Sequence, residues 1–297
     1  MNATAPIWGI DLGGTKIEVA VLTDFDSAPI IRKRCGTESE HGYAHILGQI
    51  ERLVADAVSE TGLSRPTKIG IGTPGIADPR TKLMKNCNTV CLNGQPLHAD
   101  LENILGCEIA MANDANCFAL AEALMGAGRG CEVVFGVILG TGVGGGVVVR
   151  GQVINGLHGI GGEWGHNQFS PDAPECYCGH KGCIEKVLAG PALENWYYEQ
   201  TGERLSLREI ASSDKVEARQ TMDRLCTGLG RMLGTVVNLI DPNMIILGGG
   251  VGQIDEIYDR VPAELAKYVF NDYCETPIVK PLLGDSAGVF GAALLAR

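Results

Sequence analysis

The sequence predicts a duplicated α/β fold, and three observations carry that expectation. Strand-type and helix-type patterns alternate along 297 residues, a length that allows two lobes. A buried strand, a glycine turn with threonine and a second strand occur twice: around D-L-G-G-T-K at 11–16 and around L-G-T-G-V-G-G-G at 139–146. No proline-rich or low-complexity linker separates the two copies. Two similar α/β halves imply a ligand cleft between lobes.

The elements follow in order. Residues 7–14 read as a buried strand ending in a glycine turn, 16–22 alternate as a second strand, and 29–35 form a third. Over 43–60, Ile46, Ile50, Leu53, Val54 and Ala57 recur at helical spacing. A short strand at 68–72 precedes T-P-G, and helices are expected over 98–105 and 115–126. The second copy opens with a strand at 133–140 and returns through V-V-V-R. Beyond it come a long helix over 215–239, a strand at 244–247 and a helix over 254–269. A strand at 277–282 and a helix at 287–296 close the chain.

Composition excludes several classes. Net charge is -11 with no long basic run, which argues against nucleic acid and anionic membranes as partners. No apolar run approaches the roughly 20 residues of a spanning helix. The start, M-N-A-T-A-P-I-W-G-I, lacks the basic and apolar regions of a signal peptide. Eleven cysteines, most of them single in apolar surroundings such as Cys107, Cys117 and Cys226, fit buried thiols in a reducing cytoplasm.

Against that background one cluster stands apart. His166, Cys176, Cys178 and Cys183 offer three thiols and an imidazole, a closed four-ligand set for structural Zn²⁺. Glu163 lies three residues before the histidine and Glu185 two after the last cysteine, so the knot would aim two acids. Trp164, between Glu163 and His166, reads as a core anchor.

The glycine turns suit anions. Gly13 and Gly14 let backbone N–H groups approach a phosphate, and Thr15 and Lys16 add a hydroxyl and a cation. An ordinary glycine hairpin would read the same. This is not a Walker A loop, because the order is G-T-K and a strand follows. Gly140, Gly142 and Gly145 match G-x-G-x-x-G, but the strand after them excludes a dinucleotide fingerprint. L-G-G-G at 247–250 is a strand-to-helix turn that could pack on an adenine ring.

Asn113 and Asp114 stand where I-A-M-A meets a helix. One of them can simply cap it. Alternatively, the helix dipole holds Asp114 ionised as a general base for a substrate hydroxyl.

Together D-L-G-G-T-K, G-T-P-G, N-D-A-N-C, G-T-G-V-G-G-G, G-E-W-G-H, C-x-C-G-x-x-G-C-I-E and D-P-x-x-I-I-L-G-G-G resemble the ROK family of sugar kinases and repressors. The resemblance runs from Ile7 to the C-terminus. It implies a two-lobed actin-like, hexokinase-like ATPase fold with a duplicated ribonuclease H-like core. A small lobe would cover 1–118 and a large lobe 119–286, with the final helix at 287–297 returning to the small lobe. By resemblance, Asp114 is the base that activates the sugar hydroxyl toward the γ-phosphate of ATP. Gly13, Gly14, Thr15 and Lys16 form the first phosphate loop, and Thr141 with Gly142 the second. Asp11 holds hydrated Mg²⁺, and Gly249 and Gly250 lie in the adenosine segment. Asn88, Asn113, Glu163, His166 and Glu185 meet the sugar. His166 would serve zinc with one ring nitrogen and sugar with the other.

Residues 85–97 and 274–280 are similar to the fructokinase (mannokinase) branch, so fructose is the expected substrate. N-acetylglucosamine kinase, or glucokinase or mannokinase, is the alternative. Where N-acetylglucosamine kinases typically read N-V-P, this chain has N-T-V at 88–90, and Cys91 replaces a tryptophan frequent in the fructokinase branch. A sugar-responsive repressor would need a helix-turn-helix ahead of the first strand, where only six residues stand. The resemblance implies a cytoplasmic homodimer.

Overall fold

In the computed structural model, residues 5–24 and 27–297 are described. They form two compact units. The first runs to Arg129 and includes Val153–Gly161 and Leu283–Arg297; the second comprises Gly130–Gln152 and Gly162–Leu282. The sequence reading cut the chain after 118 and 286, whereas packing cuts it after 129 and 282. The reason lies in Glu122, fully buried, whose carboxylate accepts the N–H of Ala127 at 2.9 Å and of Leu283 at 2.8 Å. One buried acid thus ties both segments to the first unit.

In that unit β1 (Ile7–Leu12), β2 (Lys16–Leu22) and β3 (Ile31–Gly36) form an antiparallel meander. On the other edge of β1, β4 (Lys68–Thr73) and β7 (Glu108–Asn113) add in parallel, giving the order β3-β2-β1-β4-β7. A two-stranded ribbon, β5 (Ile76–Ala77) with β6 (Met84–Lys85), lies between them in sequence. Strands β2 and β4 are buried almost throughout, as strands covered on both faces must be. Helix α1 (Tyr43–Thr61) buries Ile46, Ile50, Leu53, Val54 and Ala57, the stripe expected from sequence. The C-terminal helix Ala287–Leu295 also packs on the sheet. It lies so close that a Cβ on Gly70 of β4 would come within 1.7 Å of the Ala292 carbonyl oxygen. Helices α2 (Leu97–Leu105) and α3 (Asp114–Leu124) complete the unit.

The second unit repeats the plan. β8 (Val133–Leu139) and β9 (Val143–Val149) are an antiparallel hairpin, β10 (Gln152–Val153) lies outside β9, and β11 (Met244–Gly248) and β12 (Ile278–Val279) continue in parallel. The order is β10-β9-β8-β11-β12. Two sheets, each an antiparallel hairpin continued by parallel strands, are the duplication the sequence announced. β12 is shorter than the expected 277–282, since only Ile278 and Val279 pair with β11 and Pro281 follows. Short helices α4 (Glu185–Leu188), α5 (Gly190–Thr201) and α6 (Leu207–Ala211) precede α7 (Val216–Ile240), which packs on α8 (Glu256–Leu265). Trp164 is a core anchor, edge-on to Phe135 at 6.0 Å, with its indole N–H on the Met232 carbonyl. No helix among the described residues is long and apolar enough to cross a membrane.

Candidate functional site

In the first unit the chemistry gathers at the carboxyl ends of β1, β4 and β7, the usual ligand end of such sheets. The β1–β2 turn is closed by Gly13 N–H on the Lys16 carbonyl at 2.9 Å. Buried Thr37 clamps it from β3's end: its hydroxyl donates to the Gly13 carbonyl at 2.6 Å and its N–H to the Thr15 carbonyl at 3.0 Å. Gly14 and Thr15 therefore present a fixed, exposed backbone.

Asp11, next to last in β1, lies beside the start of the C-terminal helix, where a Cβ on Gly288 would lie 2.9 Å from its Oδ2. Burial lifts its pKa to about 6; the charge of Asp114 adds to the rise, Lys16 opposes it, and Glu18 adds a smaller push. Glu18 faces Asp11 across β1–β2 and is fully buried, held by Arg32 Nη2 at 2.6 Å and Arg34 Nε at 2.8 Å.

At the β7–α3 junction the two candidate caps separate. Asn113 is the cap: its side-chain oxygen accepts the Asn116 N–H at 2.9 Å. Asp114 is the first helical residue, and its Oδ1 accepts the Ala115 N–H at 2.7 Å. The dipole was expected to keep Asp114 ionised. Burial instead raises its pKa, outweighing the backbone N–H bonds from Ala115 and from Asp114 itself. Asp114 is exposed at the surface, yet the protein packed around the start of α3 is enough to raise its pKa. Such a carboxylate is a stronger base than a solvated one. Cys117, one turn on, is wholly buried, and burial together with Asp11 and Asp114 holds its thiol neutral.

A cavity of about 550 Å³ adjoins the turn, lined by Gly14 and Thr15, by Ser39 and Glu40, and by Asn88 through Cys91. Asn93 staples the 87–93 loop, accepting the Cys87 N–H at 2.9 Å and donating to its carbonyl at 3.0 Å. Ser39 and Glu40 were missed by sequence reasoning; nothing local marks them, and only the fold brings them to the turn.

In the second unit Thr141 and Gly142 sit at the tip of the β8–β9 hairpin, closed by Gly140 N–H on the Gly142 carbonyl at 3.0 Å. Gly249, at φ 81°, follows β11 so tightly that a Cβ would lie 2.2 Å from the Leu139 carbonyl oxygen. The tip, Gly249 and Gly250 thus share the carboxyl end of β8 and β11. Glu185 was expected at the sugar. Its Oε2 accepts the Val143 N–H at 3.0 Å, at the base of the hairpin tip.

The four expected metal ligands converge, with all ligand atoms within 4.8 Å of one another. His166 Nδ1 lies 3.7 Å from Cys176 Sγ, and the sulfurs of Cys178 and Cys183 are 3.5 Å apart. Tetrahedral zinc with Zn–S bonds near 2.3 Å spaces its sulfurs by about 3.8 Å, so the donor set fits the ion. Nδ1 faces the thiols, while Nε2 meets the Tyr177 hydroxyl at 3.1 Å and Glu163 at 4.0 Å. Tyr177 was not foreseen, since a tyrosine between two ligands carries no signal of its own. Neither was Arg231, which stacks 4.2 Å over Phe169 and donates to its carbonyl, anchoring the loop to α7.

Comparison with known proteins agrees with this architecture. The model of the ROK family matches residues 7–297. An N-acetyl-D-glucosamine kinase of Pectobacterium carotovorum is 37% identical, over 97% of this chain and 98% of its own. The ROK hexokinase of Thermus thermophilus superposes with a TM-score of 0.89 at 32% identity, covering 98% of this chain and 97% of its own. A ROK glucokinase from Streptomyces griseus, solved with glucose and AMPPNP, gives 0.79 at 27% identity over 99% of both chains.

Proposed function

Because the chain belongs to the ROK family, we propose that it is an ATP-dependent kinase acting on the 6-hydroxyl of a hexose, with N-acetyl-D-glucosamine as acceptor. The observation that carries the reading is the place of Asp114, at the carboxyl end of β7 and close enough to Asp11 for each charge to be felt by the other, with its pKa raised. The Asp114 carboxylate takes the proton of the hydroxyl, whose oxygen forms a bond to the γ-phosphorus as the bond to ADP breaks. Lys16 and the amides of Gly14 and Thr15, on the turn that Gly13 closes, neutralise phosphate oxygens, with Thr141 and Gly142 as a second phosphate contact and Gly249 and Gly250 against the adenosine.

Asp11 is the residue to hold Mg²⁺, whose charge offsets phosphate negative charge when bound. Its fit rests on the desolvated Asp11–Asp114 pair, whose mutual repulsion a cation relieves. Asn88, Asn113, Glu163, His166 and Glu185 are the proposed sugar contacts. Zn²⁺ on His166, Cys176, Cys178 and Cys183 supplies a closed structural crosslink. It leaves the chemistry to Asp114, and it fixes the orientation of the His166 ring and of Glu163 beside it.

The fructose preference expected from 85–97 and 274–280 gives way to the amino sugar, which the named relative favours. Cys91 also departs from the fructokinase branch, since it lines the cavity beside Asn88 where that branch carries a bulkier tryptophan. A coupled assay over N-acetylglucosamine, fructose, mannose and glucose tests it, with the highest kcat/KM expected for N-acetylglucosamine. A preference for fructose would reverse the assignment. Asp114→Asn should abolish turnover and leave sugar binding measurable; near-normal turnover would end the role of Asp114. The cytoplasmic homodimer remains part of the proposal, with sedimentation velocity as its check on assembly.

A further inference from the structure

We infer that Glu185 is a positioning residue that links the Cys/His loop to the second phosphate hairpin, so that nucleotide affinity follows the state of that loop. The inference rests on the reading of Thr141 and Gly142 as a phosphate site. The contacts are direct. Glu185 Oε2 accepts the Val143 N–H at 3.0 Å, and a Cβ on Gly142 would lie 2.6 Å from the same oxygen. The carboxylate therefore fills the space beneath the tip, which only a glycine at 142 leaves open. A second strut stands five residues on, where the Gly190 N–H donates to the Gly140 carbonyl at 2.9 Å. The segment 185–190 thus grips both shoulders of the tip.

The other end of this lever is the metal loop. Glu185 follows Cys183 by two residues, and the intervening Ile184 is fully buried. Cys183 bridges Gln168, and the Ile184 N–H donates to the Asn167 carbonyl at 2.9 Å. The paired stretches 167–168 and 183–184 start from the ligating residues His166 and Cys183. Gly165, next to His166, also abuts the hairpin, since a Cβ there would meet the Val143 carbonyl oxygen at 1.9 Å. If the four ligands part, Cys183 and His166 shift. The buried link then carries the shift to Glu185 and so to Val143. A charge-assisted bond to a backbone amide is strong enough to matter. Linkage makes the effect reciprocal: bound nucleotide should tighten the loop's hold on its metal.

The test is ADP binding by calorimetry without sugar, on metal-replete and chelator-treated protein, for wild type, Glu185→Ala, Glu185→Gln and Glu199→Ala. Wild type should lose about tenfold in affinity on chelation, the scale of one charge-assisted hydrogen bond. Glu185→Ala should show that loss already when replete and respond no further to the chelator. Glu185→Gln, whose amide oxygen can accept the same N–H, should retain most of the affinity. Glu199→Ala, at an exposed acid of α5, should bind ADP as wild type does. Glu185→Ala binding ADP at wild-type affinity, or chelation acting equally on both proteins, would overturn the inference. A wild type that binds no ADP would instead overturn the kinase reading. Amide exchange of Val143 in wild type then still decides the link: it should accelerate on chelation, and unchanged exchange would refute it.

Discussion

Asp11 sits in the fold at a cost that its removal should reveal. Its pKa rises from the ordinary 3.8 to about 6, burial first and Asp114 second. A tenfold change in the ionisation constant is worth about 1.4 kcal/mol, so the fold disfavours the charged form by up to about 3 kcal/mol. The sign follows from proton binding. Between pH 4 and 6 the native protein holds a proton that the unfolded chain has released, so stability falls as pH rises through that window. At pH 7.5 the full penalty stands; at pH 5 about half remains, by the same linkage. Asp11→Asn keeps the shape and removes the charge, so urea denaturation should show the variant more stable by about 1–3 kcal/mol at pH 7.5. The gain should shrink at pH 5, and added Mg²⁺ should close the gap by stabilising wild type alone. Activity should be lost. A variant no more stable than wild type at pH 7.5 would refute the reasoning, because Asp11 would then be well solvated or already satisfied.

Other outcomes follow from the same geometry. Because burial raises the pKa of Asp114, and a base must be deprotonated, kcat/KM should begin to fall at a higher pH than an ordinary carboxylate near 3.9 dictates; a profile flat down to pH 4.5 would contradict this. Gly70→Ala places a Cβ 1.7 Å from the Ala292 carbonyl oxygen, so soluble yield and unfolding midpoint should drop by more than about 3 kcal/mol's worth; near-wild-type stability would mean the helix can retreat from the sheet. Elemental analysis should find about one zinc per chain in wild type and little in Cys183→Ser, with a lowered melting temperature. A zinc-free, fully stable wild type would remove the metal from the account.

Much of this was legible in the sequence because the signals are local. The helical stripe of α1, the strands of both hairpins and the four-ligand spacing each declare themselves within a few residues. Strand β9 follows Gly142, as the run V-G-G-G-V-V-V predicted. What was not legible depended on distant partners. Ser39 and Glu40 reach the cavity only because β3 runs beside β2. Arg231 lies 62 residues from the Phe169 carbonyl it holds, and no spacing rule connects them. The unit boundary at 282 follows from Glu122 reaching Leu283, which no composition shift marks. The pKa of Asp114 went against the dipole argument because burial is a tertiary quantity, and it outweighs two local hydrogen bonds.

The division of labour suggested by the motifs also changes. By motif, the Cys/His loop serves the sugar and the glycine hairpins serve the nucleotide. Glu185 does not respect that division. An acid that only read sugar hydroxyls would have both oxygens turned to the ligand, yet one is bonded to Val143 at the base of the hairpin tip. Its removal should therefore raise KM for ATP as well as for sugar, whereas Glu163→Ala should raise KM for sugar alone. Measuring both constants for both variants separates the two roles. If Glu185→Ala left KM for ATP unchanged, the bond to Val143 would be a packing detail, and the metal loop would serve the sugar only.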